Sequence, residues 1–232
     1  MSIHLHPTAS LAKRVLLPGD PGRALLLAQA VLDAPTMFNH NRGLWGYTGV
    51  AADGDPLTIQ STGMGGPSAA IVISELADLG AERLMRVGTC GALEPGLALG
   101  ELLIVTEAVP DDGTSRALEA SRPLLADRDL TRALSRAGGD ATPTGAVVST
   151  DLFYDSPAGA ERQWLDAGAR AVEMETATLF ALARRRGLQA ASLLLVTDLL
   201  LPNRVRIQDD ALRTGEVRLG EVAAKALDGR GS

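Results

Sequence analysis

Apolar positions along the chain fall into two alternating rhythms. Short runs rich in Val, Ile, Leu and Thr occupy Arg14–Leu17, Tyr47–Val50, Leu57–Ser61, Leu84–Val87, Leu102–Val105, Ala146–Ser149, Ala171–Met174 and Leu193–Val196. Between them lie longer stretches with apolar residues at helical spacing: Ala24–Val31, Pro67–Leu79, Leu124–Ala137, Ala158–Asp166, Thr176–Arg186 and Asp210–Leu227. Short apolar runs bounded by turn residues predict buried strands, and the longer periodic ones predict helices. Their alternation, with no repeat or linker to split it, predicts one α/β domain over residues 1–232 with a mainly parallel sheet.

Glycines gather where these strands hand over to helices. The run Leu57–Ser61 ends in Gly63, Gly65 and Gly66, Pro67 opens a helix, and Gly80 stops it. The next strand ends in glycines again, at Gly88 and Gly91. A second junction reads Leu17-Pro18-Gly19-Asp20-Pro21-Gly22-Arg23, with Asp20 as N-cap and Pro21 as first helical residue. Helix N-termini offer unpaired N–H groups to an anion, and Arg23 could add a charged fork. In open α/β sheets ligands bind outside the carboxyl ends of the strands, so the site is expected there. The segment from Asn39 to Gly43 reads as a polar loop in which Arg42 is a solvated charge, and Pro110–Ser121 reads as a loop rich in Asp, Gly and Ser.

Composition narrows the class. The 232 residues suffice for one sizeable core, 46% are hydrophobic and 22% charged. Twenty-five glycines exceed the roughly 16 that an average ~7% content would give, and they cluster at strand ends. A net charge of -6 argues against binding nucleic acid or an anionic membrane through bulk charge. Cys90 is the single cysteine, so no intrachain disulfide can form, and a reducing compartment is expected. Its small, apolar neighbours favour a buried structural thiol. Three histidines and no clustered Cys/His spacing make a metal site unexpected. No apolar run reaches the ~18 residues of a membrane span, and the first residues show no secretory pattern.

Polar groups at several strand ends could face one pocket. Arg86-Val87-Gly88-Thr89 supplies a cation, a permissive backbone and a hydroxyl. Glu173 and Glu175 flank Met174, and in a strand such i and i+2 residues share a face. The pair suits the vicinal hydroxyls of a ribose, or glycosidase-type acid and base work; alternatively it is an acidic helix start. Asp198, after the apolar run Leu193–Val196, is a candidate general acid or the N-cap of a turn. Gly63-x-Gly65-x-x-Ser68 is a weak match to a dinucleotide fingerprint, because the acid expected some twenty residues on falls at Glu82, in a loop.

Five motifs stand in one order across nearly the whole chain: Leu17-Pro18-Gly19-Asp20-Pro21-Gly22-Arg23, Asn41-Arg42-Gly43, Ser61-Thr62-Gly63-Met64-Gly65-Gly66-Pro67-Ser68, Arg86-Val87-Gly88-Thr89-Cys90-Gly91-Ala92 and Val172-Glu173-Met174-Glu175. Together they resemble the nucleoside phosphorylase-I family, in particular its hexameric purine nucleoside phosphorylases and the related uridine phosphorylases. The resemblance implies a single α/β domain whose central sheet is mixed, which replaces the mainly parallel expectation. It implies phosphate held by Gly19, Arg23, Arg86 and Thr89, with Arg42 reaching that phosphate from a neighbouring subunit. His4 would cross the same dimer interface towards the ribose, which Met64, Glu173, Met174 and Glu175 would hold. Cys90, Gly91, Phe153, Val172 and Thr197 would line the base pocket. The family uses neither metal nor organic cofactor; inorganic phosphate is the co-substrate.

The resemblance also bears on the base. Uridine phosphorylases carry a Gln-x-Arg pair before the Glu-Met-Glu strand, and here Gln163 has Arg162 before it and no arginine two residues on. Purine enzymes place an aspartate where Asp198 stands, to protonate the departing base, a role worth typically 10²–10⁴-fold. They follow it with an arginine, which here would be Arg213, or else Arg204 or Arg206. Against this, Gly65-Gly66-Pro67-Ser68 and Asp112-Gly113-Thr114-Ser115 look more like uridine phosphorylase. The reading is therefore phosphorolysis of purine nucleosides to free base and pentose 1-phosphate, by a cytoplasmic homo-oligomer, expected as a hexamer built from three dimers. The alternatives are a uridine phosphorylase, a nucleosidase that uses water, or a silent nucleoside-binding module.

Overall fold

The strand Arg83–Ala92 (β5) organises the fold. The computed structural model describes residues 2–118 and 123–228, and through them β5 runs almost wholly buried, as a strand covered on both faces must. It passes straight through Gly88 and Gly91, where the sequence led us to expect the strand to end at Val87. Alongside its first half lies Arg14–Leu17 (β1), parallel, with Leu17 opposite Arg86. Beyond Arg86 the two strands part, and at Gly91 and Ala92 β5 takes up an antiparallel partner, Ala169–Glu173 (β9), with Gly91 opposite Val172. The sheet thus forks at Val87–Cys90, and that fork is where a ligand can enter.

The other edge of β5 pairs along its whole length with Gln189–Leu199 (β10), parallel, interrupted by an irregularity between Val196 and Asp198. From β10 the sheet continues antiparallel to Leu102–Asp111 (β6), then parallel to Thr144–Thr150 (β8) and on to β9. The sequence β5–β10–β6–β8–β9–β5 therefore closes a five-stranded ring. Outside it, β1 is extended by Pro56–Gln60, Gly46–Val50 and Asp33–Asn39, the last two antiparallel. The sheet is mixed, so the mainly parallel expectation drawn from periodicity alone fails both where hairpins extend it and within the ring, at the antiparallel pairs β5–β9 and β10–β6.

Helices cover both faces. Pro21–Val31 (α1), Arg128–Gly138 (α4) and Asp209–Ala226 (α7) bury Ala24, Leu27, Leu130, Leu134, Leu219 and Ala223 on one side. Gly66–Asp78 (α2) and Thr176–Arg186 (α6) bury Val72, Ile73, Leu76, Leu179 and Phe180 on the other. Ala160–Asp166 (α5) seats Trp164 on a third, smaller cluster with Leu93 and Val148. Asp20 caps α1 as expected, accepting the Gly22 N–H at 2.8 Å. Gly65 precedes α2 at φ +82°, a backbone state that favours glycine.

One helical expectation and one loop expectation shift. The stretch 124–137 divides into a two-residue strand, Leu124–Leu125, and α4, because Asp127 accepts the N–H of Asp129 and Leu130 and starts the helix there. The expected loop from Pro110 contains the end of β6 and a short helix, Gly113–Ala117 (α3), capped by Asp112. Its last residues, 119–121, lie outside the described ones. The edge strand Asp33–Asn39 is largely exposed, so it carries no apolar run by which sequence could find it.

Candidate active site

A cavity of about 470 Å³ opens at the fork. Its walls are the carboxyl ends of β5, β8, β9 and β10 and the turn between β1 and α1. The alternation of strands and helices predicts a site at this edge of the sheet. Gly19, Arg23, Met64, Arg86, Thr89, Cys90, Gly91, Phe153, Val172, Glu173, Met174, Glu175, Thr197 and Asp198 all line it. The residues expected there from separate parts of the sequence are thus gathered into one space.

At its inner end Arg86 is held by both glutamates. Its Nε donates to Glu173 Oε2 at 2.8 Å and its Nη2 lies 2.6 Å from Glu175 Oε2, with all three side chains under 10% exposed. Glu173 also accepts the hydroxyl of Ser149 and the N–H groups of Glu175 and Thr176, the latter two at about 3 Å. Its carboxylate is thereby saturated, at the N-terminus of α6, and its partners hold it in place. Glu175 stands past the end of β9, at the start of α6, so the strand geometry expected for the pair does not apply. Its other oxygen accepts the Gly65 N–H. Burial, followed by the charge of Glu173, pushes the Glu175 carboxyl above the ordinary range, against the pull of Arg86. Burial alone would lower Arg86, but the two carboxylates outweigh it and raise its pKa. Gly88 packs directly on this guanidinium: a Cβ there would stand 2.6 Å from Cζ and Nη2 of Arg86.

Arg23, on the first turn of α1, gives its Nε to Glu216 of α7 at 2.7 Å. Glu216 is a residue that sequence reasoning missed, because 193 positions separate the pair. Cys90 is buried, its thiol pushed well up by burial, in keeping with a structural role.

At the outer end Asp198 has both oxygens engaged. Oδ1 accepts from Arg204 Nε at 2.8 Å, and Oδ2 lies 2.9 Å from the Thr197 hydroxyl. The Arg204 guanidinium stacks over the Phe153 ring, 4.6 Å from its centroid. Arg213, the arginine expected at Asp198, is instead exposed on α7 and does not line the cavity. The correction has a local cause. Val205–Arg206 (β11) pairs antiparallel with β10, Asp198 opposite Arg206, and this hairpin carries Arg204 back over the carboxylate. Leu152, Ser156, Glu161, Trp164 and Leu200 also line the cavity; no motif pointed to them.

His4 and Arg42 do not line this cavity. His4 Nδ1 contacts Glu75 of α2 at 2.8 Å, and Asn41 Nδ2 donates to the His4 carbonyl at 2.8 Å. Arg42 sits exposed on a short 3-10 turn, Asn41–Gly43, at φ +57°. The two residues therefore share one edge of the molecule, with the exposed side chains of Ile3 and Ile71 beside Glu75. Among the described residues no three His, Cys, Asp or Glu side chains gather as metal ligands, and no helix is long and apolar enough to cross a membrane.

Similarity to known proteins agrees with this geometry. A DeoD-type purine nucleoside phosphorylase of Geobacillus kaustophilus is 38% identical over 208 residues, spanning 87% of each chain. A guanosine phosphorylase of Halorubrum lacusprofundi is 40% identical over 182 residues, 77% of this chain and 75% of that one. The crystal structure of a uridine phosphorylase from Vibrio fischeri, complexed with 6-hydroxy-1-naphthoic acid, superposes with a TM-score of 0.86 at 29% identity, covering 97% of this chain and 96% of that one. The profile of the phosphorylase superfamily matches residues 13–228, a span that holds both ends of the cavity, and the chain belongs to that family.

Proposed function

We propose that the chain catalyses phosphorolysis of purine nucleosides, giving free base and pentose 1-phosphate. The observation that carries this reading is the single cavity with Arg86 between two carboxylates at one end and the Asp198–Arg204 pair at the other. Relatives at 34–38% identity over most of the chain are named purine nucleoside phosphorylases, which supports it.

Phosphate takes the Arg86 end, with Arg23, Thr89 and the Gly19 backbone as further donors. Glu175 turns from Arg86 to the ribose hydroxyls as the anion arrives, because phosphate then supplies the negative charge that Arg86 needs. Glu173, already saturated, positions Arg86. Met64 and Met174 pack against the sugar, and Cys90, Gly91, Phe153, Val172 and Thr197 frame the base. As the nucleoside binds, Asp198 parts from Arg204 and takes a proton from solvent; it gives that proton to the base as the glycosidic bond breaks, and Arg204 pairs again with the carboxylate left behind. Positioning and electrostatics supply most of the rate. Inorganic phosphate is the only co-substrate, and no organic cofactor or metal takes part.

His4 and Arg42 complete the site of a neighbouring subunit, their shared edge forming a dimer contact, with three such dimers in a hexamer. The place of action is the cytoplasm. The test is base release from inosine, guanosine, adenosine and uridine, each with and without phosphate. Purine release that requires phosphate is expected; release without it points to a nucleosidase. Uridine cleavage points to the second reading, uridine phosphorolysis, which the structural similarity to a uridine phosphorylase favours.

A further inference from the structure

We infer that Glu161, with Arg204 and Arg206, selects 6-oxopurines, so that guanosine and inosine are preferred to adenosine. The inference rests on the purine reading above and names the substrate class of that same site.

Glu161 and Trp164 are three residues apart on α5, so they share a face, and both line the cavity. Trp164 is buried and its Nε1 donates to Asp111 Oδ2 at 2.8 Å, which fixes that face against β6. Glu161 is half-buried, and its side chain makes no hydrogen bond or ion pair among the described residues. An acid in the first turn also suits the helix dipole. That effect, however, does not require the side chain to stand on a cavity wall. A carboxylate withdrawn from water without a partner is costly, and a ligand with two adjacent N–H groups removes that cost.

The same cavity also carries donors. Arg204 uses its Nε on Asp198 and its flat face on Phe153, and neither terminal nitrogen has a partner among the described residues. Arg206, opposite Asp198 on β11, also lines the cavity; it is exposed, and its side chain makes no hydrogen bond or ion pair among the described residues.

Purine chemistry matches this order of groups. Round the ring from N7, guanine presents the acceptor O6 and then the donors N1–H and N2–H₂; hypoxanthine presents O6 and N1–H. Adenine presents the donor N6–H₂ and then the N1 lone pair. With N7 at Asp198, the arginines meet O6 and the Glu161 carboxylate meets N1–H. Adenine would set N6–H₂ against guanidinium and a lone pair against carboxylate. A site built to hydrogen-bond a group rejects an analogue that lacks it far more strongly than an apolar pocket rejects a change of size.

The test compares kcat/KM for guanosine, inosine and adenosine, with phosphate, in the wild type, Glu161→Gln and Glu161→Ala. Binding of free guanine, hypoxanthine and adenine by calorimetry provides a readout independent of turnover. The wild type is expected to favour guanosine over adenosine by roughly tenfold or more. Glu161→Gln should lower that ratio by a similar factor, costing guanosine most, inosine less and adenosine least. An equal loss on all three nucleosides, or an unchanged ratio, overturns the inference. So does a wild type that cleaves purines and favours adenosine. If the wild type cleaves uridine and no purine, the purine reading itself falls and the inference with it.

Discussion

Asp198 and Arg204 form an ion pair at the mouth of the cavity, Nε to Oδ1 at 2.8 Å, with the Arg204 side chain 42% exposed and Asp198 11%. The arginine comes from the turn six residues on, and the Phe153 ring supports its other face. A guanidinium there stabilises the carboxylate that proton donation leaves behind. Arg204→Ala should therefore reduce kcat/KM for guanosine by roughly 10- to 100-fold, within the range of a positioned acid. 7-Methylguanosine, whose base already carries a positive charge, needs no proton and should lose far less. Arg213→Ala should stay within about twofold on both. Steady-state rates on the two nucleosides decide it; an equal loss on both would remove Arg204 from proton transfer.

The contact of Gly88 with Arg86 makes a second expectation. Alanine would put a carbon 2.6 Å from the guanidinium, and Arg86 cannot easily yield while two carboxylates hold it. Gly88→Ala should raise the KM for phosphate by roughly tenfold, since the cation that meets the anion is displaced. Initial rates over a phosphate series, with a melting curve to show that the fold survives, provide the check.

Arg42 lies outside the cavity of its own chain, on the edge that also carries His4. If that edge completes a neighbour's site, Arg42→Ala and Arg86→Ala should each be nearly inactive alone. Mixed by co-expression they should recover activity, because one site in a mixed dimer then receives both arginines. No recovery in the mixed oligomer would place Arg42 outside the reaction.

Glu75 anchors the N-terminal segment. Burial opposes its ionisation, yet the N–H groups of Leu5, Ile3 and His4 and the His4 ring outweigh that and bring its pKa to about 2, against 4.5 ordinarily. The folded state thus binds fewer protons here than the unfolded one. The stabilisation is complete above about pH 4.5 and is lost as pH falls towards about 2. Thermal melting from pH 7 to pH 3 should show a steeper acid decline in the wild type than in Glu75→Gln, and parallel curves would contradict it.

Local chemistry made much of this protein legible. Asp20 and Pro21 start a helix wherever they meet an apolar stretch, and the strands β1, β5 and β10 are apolar enough to be recognised unaided. Motifs at strand ends sufficed to nominate Arg23, Arg86, Glu175 and Asp198, and the cavity at the fork gathers them although β9 runs antiparallel to β5. Sequence by itself determined most of the elements and named many, though not all, of the residues that meet in the cavity.

Tertiary structure decided how those residues are paired. The fork of β5 between β1 and β9 depends on strand register, which no local propensity encodes. Arg204 replaced Arg213 because the hairpin of β10 and β11 folds this nearby cation back onto Asp198, while Arg213 is carried away on α7. Glu173 and Glu175 have the same chemistry in sequence, but one is saturated inside the α6 start and the other faces the cavity with a raised pKa. Ion pairs such as Arg23–Glu216 join segments 193 residues apart, and only the folded chain sets their distance.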